Sequence, residues 1–299
     1  MPLVRGIVAI SLLRLLGGCA VTRVQSDVAT MHPACDEYGV WNGHACTSVT
    51  AAAEKLDAGR KALAAFKVDD AKIALDAVAS AGPLDYATHV GLWEQRGIAA
   101  AYVDDEANAA TAFDMLLALD PGHYLSYLLS PKATFVFEKV RKQVKSRGEP
   151  AVDVNWEHGE RVGEPVPIEV EVVADPKQFL RRATLFVRTR GDATWQATDV
   201  ALAAKGEQHV VLPAITATKP VSLEIYLRAY DDQGNEVLTW ADAARPREIP
   251  LRYDPPTPWY RKWWVIAIAG SAAAIATGVT VYELTLSPPD KINGSATVK

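Results

Sequence analysis

The chain is 299 residues long, 49% hydrophobic and 22% charged, with a formal net charge of -5. That length accommodates two ordinary domains with cores of their own, and the composition excludes wholesale disorder. The mildly acidic balance excludes a nucleic-acid partner held through its phosphates, which needs clustered Lys and Arg.

Residues 1–19 read as an address rather than as structure. Arg5 forms a weak positive start, Gly6 to Leu13 an apolar stretch, and Leu16-Gly17-Gly18-Cys19 sets small residues before a cysteine. This last element resembles the lipobox of bacterial lipoproteins, which implies cleavage before Cys19 and lipidation of its thiol. Arg14 departs from the pattern, because a charge within the apolar stretch weakens insertion. Residues 20–47 are predicted to be a linker carrying the loop CDEYGVWNGHAC between Cys35 and Cys46. An even pair in an exported protein favours a disulfide, and Asn42-Gly43 suits the turn that brings the thiols together. The other reading of this stretch is a metal site of His32, Cys35, His44 and Cys46, whose spacing does not match the common zinc patterns.

Residues 48–147 are Ala- and Leu-rich, with apolar positions at helical spacing. Trp93, Gly97, Ala109, Phe113 and Pro121 stand at the aromatic, small and breaker positions of the tetratricopeptide repeat, and Gly59, Ala71 and Leu75 repeat the offsets 38 residues earlier. The segment resembles that family. The resemblance implies pairs of antiparallel helices, with Gly97 and Ala109 where the helices cross, Trp93 and Phe113 filling the gaps, and Pro121 ending the repeat. It also implies a groove that holds a protein, with Lys61, Tyr102 and Asn108 on it. A closing helix is predicted from Ser130 as N-cap and Pro131 at the first helical position, with Phe135, Val136 and Val140 turned inward.

After the polar break at 145–150 the period changes to two and holds over 151–253. Ile168, Val170 and Val172 alternate with acids. Ala183, Leu185 and Val187 form a second set, and Val221, Leu223, Ile225, Leu227 and Ala229 the longest. Short strands parted by Gly, Pro and Asp turns predict a sandwich of antiparallel sheets. The stretch LEIYLRAYDDQGNEVL resembles the last hairpin of an immunoglobulin-like or fibronectin type III domain, without the inter-sheet cysteines of antibody domains. Asp231, Asp232, Asn235 and Glu236 lack the oxygen spacing of a calcium loop and read as a hairpin turn.

Residues 254–262 form a Pro- and aromatic-rich stalk, 263–282 an uncharged stretch that spans about 30 Å as a helix, and 283–299 a short polar tail. Trp259, Tyr260, Trp263, Trp264 and Tyr282 mark the ends of a predicted transmembrane helix. Gly270, Ala274 and Gly278 recur every four residues, a spacing that allows close packing of membrane helices. Arg252, Arg261 and Lys262 before the helix favour a cytoplasmic location for the domains, as in a tail-anchored protein, whereas the export signal favours the periplasm. The order of signal, helical repeats, sandwich, Pro-rich stalk and anchor resembles a recurrent envelope-protein type of delta-proteobacteria. That resemblance implies the inner membrane, with the domains in the periplasm.

No G-x-S-x-G, H-E-x-x-H, P-loop or dinucleotide fingerprint is present, and the six histidines are scattered. The expectation is therefore a multidomain α + β chain with no enzymatic activity and no cofactor. Its expected partners are a protein of the cell envelope and the membrane itself. The other expectation is a polysaccharide- or peptidoglycan-binding protein, for which Trp195 and Trp240 would have to form an open stacking platform.

Overall fold

The computed structural model describes residues 27–35, 39–41, 44–145, 148–203, 206–256 and 258–286. The stretch read as an export signal with Cys19, the predicted turn at Asn42-Gly43 and the sequence from residue 287 lie outside them. Among the described residues are six α-helices and antiparallel β-sheets.

Four helices form two hairpins: α1 (Thr50–Ala64) with α2 (Val68–Ala79), and α3 (Tyr86–Tyr102) with α4 (Glu106–Leu119). A fifth, α5 (Pro131–Val144), packs on α3 and α4. Helix α1 buries Ala52, Leu56, Gly59 and Leu63 along one face, and α2 answers with Ala71, Leu75 and Val78. Helix α3 is buried on nearly all sides, because every other helix of the unit packs around it.

The two hairpins repeat one another in detail. A Cβ built on Gly59 would lie 3.1 Å from Leu75, and one on Gly97 only 2.3 Å from the Phe113 ring, so glycine lets each pair of helices close. Helices α1 and α3 both end through a non-glycine residue in the left-handed region, Phe66 (φ 57°) and Asp104 (φ 61°). The amides of Lys67 and Asp105 close each end on the carbonyls of Ala62 and Ala100, as in a Schellman turn. Caps follow side-chain chemistry: Asp85, Asp105 and Ser130 accept from the amides of Thr88, Asn108 and Lys132. Asp69 and Asp70 stand inside the first turn of α2, where acids suit the helix dipole.

Helix α5 departs from expectation by a rotation. Its buried face is Ala133, Val136, Phe137 and Val140, while Phe135 is 67% exposed. Two residues along a helix are 200° around it, so Phe135 and Phe137 cannot share a face. Phe137 packs edge-on against Phe113 at 5.4 Å.

The β unit is a sandwich. One sheet holds β4 (Ala151–Trp156), β5 (Val166–Ala174) and β8 (Glu207–Leu212). The other orders β1 (His32–Pro33), β7 (Gln196–Ala201), β6 (Arg182–Thr189), β9 (Val221–Tyr230) and β10 (Glu236–Trp240), with β11 (Arg247–Leu251) sharing the β10 edge of β9. Ile168, Val170, Leu185, Leu223, Ile225 and Leu227 fill the space between the sheets, as their period predicts.

The stretch predicted as a linker is partly sandwich. Val28 bridges to Val211 of β8, and His32–Pro33 pair with Ala197–Gln196 of β7, so residues 28–33 cross from one sheet to the other along an edge. This covers ladder groups that would otherwise face water. The chain then forms the hairpin β2 (Gly39–Trp41) and β3 (Cys46–Ser48) and enters α1. Val40 of β2 and Val49, just after β3, cluster with Tyr230 on the outer face of the second sheet.

A single apolar core runs from the helices into the sandwich. The last helix, α6 (Trp263–Leu286), follows a 3-10 turn at Trp259–Arg261. It is the one described helix long and apolar enough to cross a membrane, and none of its Trp263–Val281 window is buried.

Candidate binding groove

Two sandwich turns hold the helical unit. In the β9–β10 turn, the Asp231 carboxylate accepts from the amides of Gln233 (2.9 Å) and Asn235 (2.7 Å) and from the Asn235 side chain (2.9 Å). This self-contained Asx turn holds the Asn235 side chain so that its Oδ1 accepts from the Leu84 amide at 3.1 Å, while the Glu236 amide donates to the Leu84 carbonyl at 2.9 Å. On α3, His89 Nδ1 lies 3.0 Å from the Glu236 carbonyl. In the β5–β6 turn, both Asp175 oxygens accept amides, from Phe179 and Leu180, and Lys177 pairs with Asp114 of α4. Gln178 sits there in the left-handed region at φ 57°.

The junction is desolvated, and its titrating groups show it. Burial pushes the His89 imidazole below its usual value, against the contrary pull of its bond to Glu236. Burial pushes the Tyr86 phenol up to about 12, with Asp120, Glu149 and Glu236 adding to the effect, and its hydroxyl donates to the Leu119 carbonyl. Tyr230 is raised in the same direction, by burial first and then by Glu236.

These contacts frame a groove in two connected parts. One, of about 370 Å³, lies between α2 and α4 over the small residues Ala99 and Ala100 of α3. The other, of about 430 Å³, lies between α3 and the two sandwich turns, over Leu92, Met115 and Phe179. Trp93 and Arg96 line both parts and form the waist between them. Arg96 lies over the Trp93 ring at 5.4 Å and reaches Asp76 at 2.9 Å. The indole N–H of Trp93 is buried without an acceptor among the described residues, a state that costs about 1–3 kcal/mol. Both volumes fall in the range of ligand clefts, which occur preferentially where units meet.

Of the residues expected on the groove, Asn108 lines it. Lys61 stands exposed in the last turn of α1, and Tyr102 stacks on Phe66 at 5.8 Å; neither is among the groove's lining residues. Gly97 packs on Phe113 where α3 meets α4, Ala109 is buried on α4, Trp93 lines the groove, and Pro121 follows the end of α4. Sequence reasoning missed the roles of His89 and Asn235, because their partners are remote in the chain, and of Gln178 and Arg181, because only the docking of their turn against the helices brings them to the groove.

Cys35 and Cys46 stand at a bonded 2.09 Å, so the sulfurs serve a disulfide and not a zinc site. His32 stacks on Trp41 at 4.1 Å. Glu169, Glu207 and His209 present ligand atoms within 4.8 Å of one another on the outer face of the β4–β5–β8 sheet, all exposed. The turn at Asp231–Asn235 is closed by hydrogen bonds of its own. Neither Trp195 nor Trp240 is an open platform. Trp195 packs on Tyr226 with Arg188 over its ring at 4.2 Å, and Trp240 lies against the core with Arg247 over it at 5.9 Å. Gly270 and Ala274 are exposed on α6, and Gly278 continues their spacing along the same helix.

No family model matches the chain, and no curated protein matches it. Among solved structures it is similar to the CARDB domain of a Pyrococcus furiosus protein, crystallised in complex with di-metal ions. The identity is 11% and the TM-score 0.25, over 35% of this chain and 89% of that one. It is also similar to the cohesin module of a family 33 glycoside hydrolase from Clostridium perfringens, with 8% identity and a TM-score of 0.23, over 36% of this chain and 98% of that one. Likeness at this level carries no inference about the chain.

Proposed function

We propose that this chain is a membrane-anchored, extracytoplasmic scaffold that holds a partner protein of the cell envelope in the groove at Trp93. The proposal includes no enzymatic step and no cofactor. The observation that carries it is the groove itself, walled by helices and by two pinned sandwich turns. The 38-residue correspondence of the two hairpins, with Gly59 on Leu75 and Gly97 on Phe113, supports reading them as tetratricopeptide-like repeats, an architecture that presents binding grooves.

Strand register supports the arrangement. The chain leaves the sandwich at Leu251, opposite Val221 of β9, and continues toward α6. The helical unit docks at the other end of β9, where Glu236 pairs with Tyr230. Nine strand residues, about 30 Å, separate the two ends. The sandwich is then a spacer that holds the groove off the bilayer. The disulfide supports an oxidising compartment outside the cytoplasm. With export, the lipobox-like Cys19 would add a second tether. Occupied tryptophan faces make a glycan-binding sandwich the less supported reading.

A photo-crosslinking amino acid placed in living cells at Thr111, in the groove, is expected to capture a discrete protein. The same probe at Val173, exposed on the outer sheet face, is expected to capture none. Equal yields from both positions, or glycan adducts alone, would contradict the scaffold.

A further inference from the structure

We propose that the start of α6 is a binding site for anionic phospholipid, in which the Arg261 guanidinium and the Lys262 ammonium take the headgroup phosphate and the aromatic rings beside them lie among the adjoining glycerol and upper acyl groups. The inference rests on reading α6 as the membrane anchor and adds to that reading a choice of lipid.

Charge pairing gives the sign. The stretch 255–282 holds Arg261 and Lys262 as its cations and contains no Asp or Glu. Asp254, the acid just before it, is held by Arg161 at 3.5 Å, and the next acid in the chain is Glu283, beyond the apolar stretch. Both cations are exposed, and among the described residues neither has a carboxylate within ion-pair distance. Two adjacent like charges repel, and a phosphate shared between them offsets that repulsion.

The local fold gives the place. The 3-10 turn at Trp259–Arg261 runs into α6 through Lys262. The Lys262 carbonyl accepts the amides of Val265 and Ile266, which leaves the Trp263 and Trp264 amides at the helix start without an acceptor among the described residues. Free amides at a helix N-terminus favour an anion and add to the two side chains. Trp259 and Tyr260 precede the cations and Trp263 and Trp264 follow them, with all four rings exposed. Amphipathic rings settle at headgroup level, and Trp263 to Tyr282 spans about 30 Å as a helix, so the cations stand at the boundary of the bilayer core. The proposed topology sets them outside the cytoplasm, against the usual bias of loop charge. Headgroup phosphate gives them a role there that topology does not. A zwitterionic headgroup brings its own cation to the phosphate, so the pair discriminates in favour of an anionic one.

The test places the full chain in nanodiscs of phosphatidylcholine and phosphatidylglycerol in equal amounts and counts, by native mass spectrometry, the lipids that stay bound when the disc is stripped. Phosphatidylglycerol is expected to be retained in roughly tenfold excess, and the excess to shrink as salt rises. Arg261→Gln with Lys262→Gln is expected to bring the two lipids to parity. Lys142→Gln with Lys145→Gln, which removes two exposed cations at the far end of α5, should leave the excess unchanged. Equal retention by the parent chain, an excess that survives the substitutions at Arg261 and Lys262, or one lost equally in the α5 variant would overturn the proposal. A parent chain that enters the discs and shows no lipid preference leaves the anchor standing and removes only the lipid site, whereas failure to enter discs of either lipid would overturn both.

Discussion

At the scale of single residues, the junction between helices and sandwich depends on side chains whose chemistry is ordinary and whose position is not. Asn235 satisfies a backbone amide 151 residues away while its own N–H group is held by Asp231. Asn235→Ala leaves the buried Leu84 amide without an acceptor and is expected to cost about 1–3 kcal/mol in chemical denaturation. His89 supplies a pH dependence with a definite sign. Its folded value lies below the usual 6.5, so the unfolded chain binds the proton more readily. Its contribution to stability is therefore complete above that value and is lost over the interval below it as pH falls through the folded value. Denaturation midpoints should drop over that interval, and His89→Gln should flatten the slope; an unchanged slope would remove His89 as its source. Gly97→Ala brings a Cβ to 2.3 Å from the Phe113 ring and should cost about 1–3 kcal/mol or more, partly recovered by Phe113→Leu. Gly97 and Phe113 were legible in the sequence because their offsets repeat locally. Asn235 and His89 were not, since nothing near either residue names a partner more than 140 positions away.

At the scale of elements, period two and the helical spacing identified the strands and hairpins, and what they missed is instructive. The second sheet buries both faces: Leu223, Ile225 and Leu227 face the core, yet Glu224, Tyr226 and Tyr230 are buried as well. Val40 and Val49 lie on Tyr230, and Ala34 and Ala241 lie on the Phe186–Tyr226 stack, so segments from elsewhere cover a face that alternation assigns to water. Arginines complete that layer, with Arg188 bonded to Glu224 at 2.6 Å and lying over Trp195. A stretch as short as 28–33 carries too little pattern to declare itself a strand pair, and it read as linker. The cystine hairpin that follows joins cysteines at a sequence separation of 11. Its removal by Cys35→Ser with Cys46→Ser is expected to cost about 2 to 3 kcal/mol, read as a lowered thermal midpoint that reductant reproduces in the parent chain. A midpoint insensitive to both would show that the hairpin does not depend on the bond.

At the scale of the whole molecule, the fold orders its parts along one direction: the stalk and α6 leave one end of the sandwich, and the helical unit with its groove is fixed at the other. The junction is apolar in bulk and hydrogen-bonded at two turns, so the parts are expected to unfold as one cooperative unit, with a single transition in both far- and near-ultraviolet circular dichroism. The apolar length of α6 was legible from the sequence, because a bilayer's thickness fixes how long a helix must be to cross one, and α6 meets that length. The side on which the domains would lie was less legible, because the basic residues at the stalk and the signal-like, lipobox-like start of the sequence point in opposite directions. Limited proteolysis of spheroplasts settles the side most directly. The account predicts that added protease removes the helical and sandwich units while an α6 fragment stays with the membrane. Complete protection until the membrane is lysed would place the groove in the cytoplasm and contradict it.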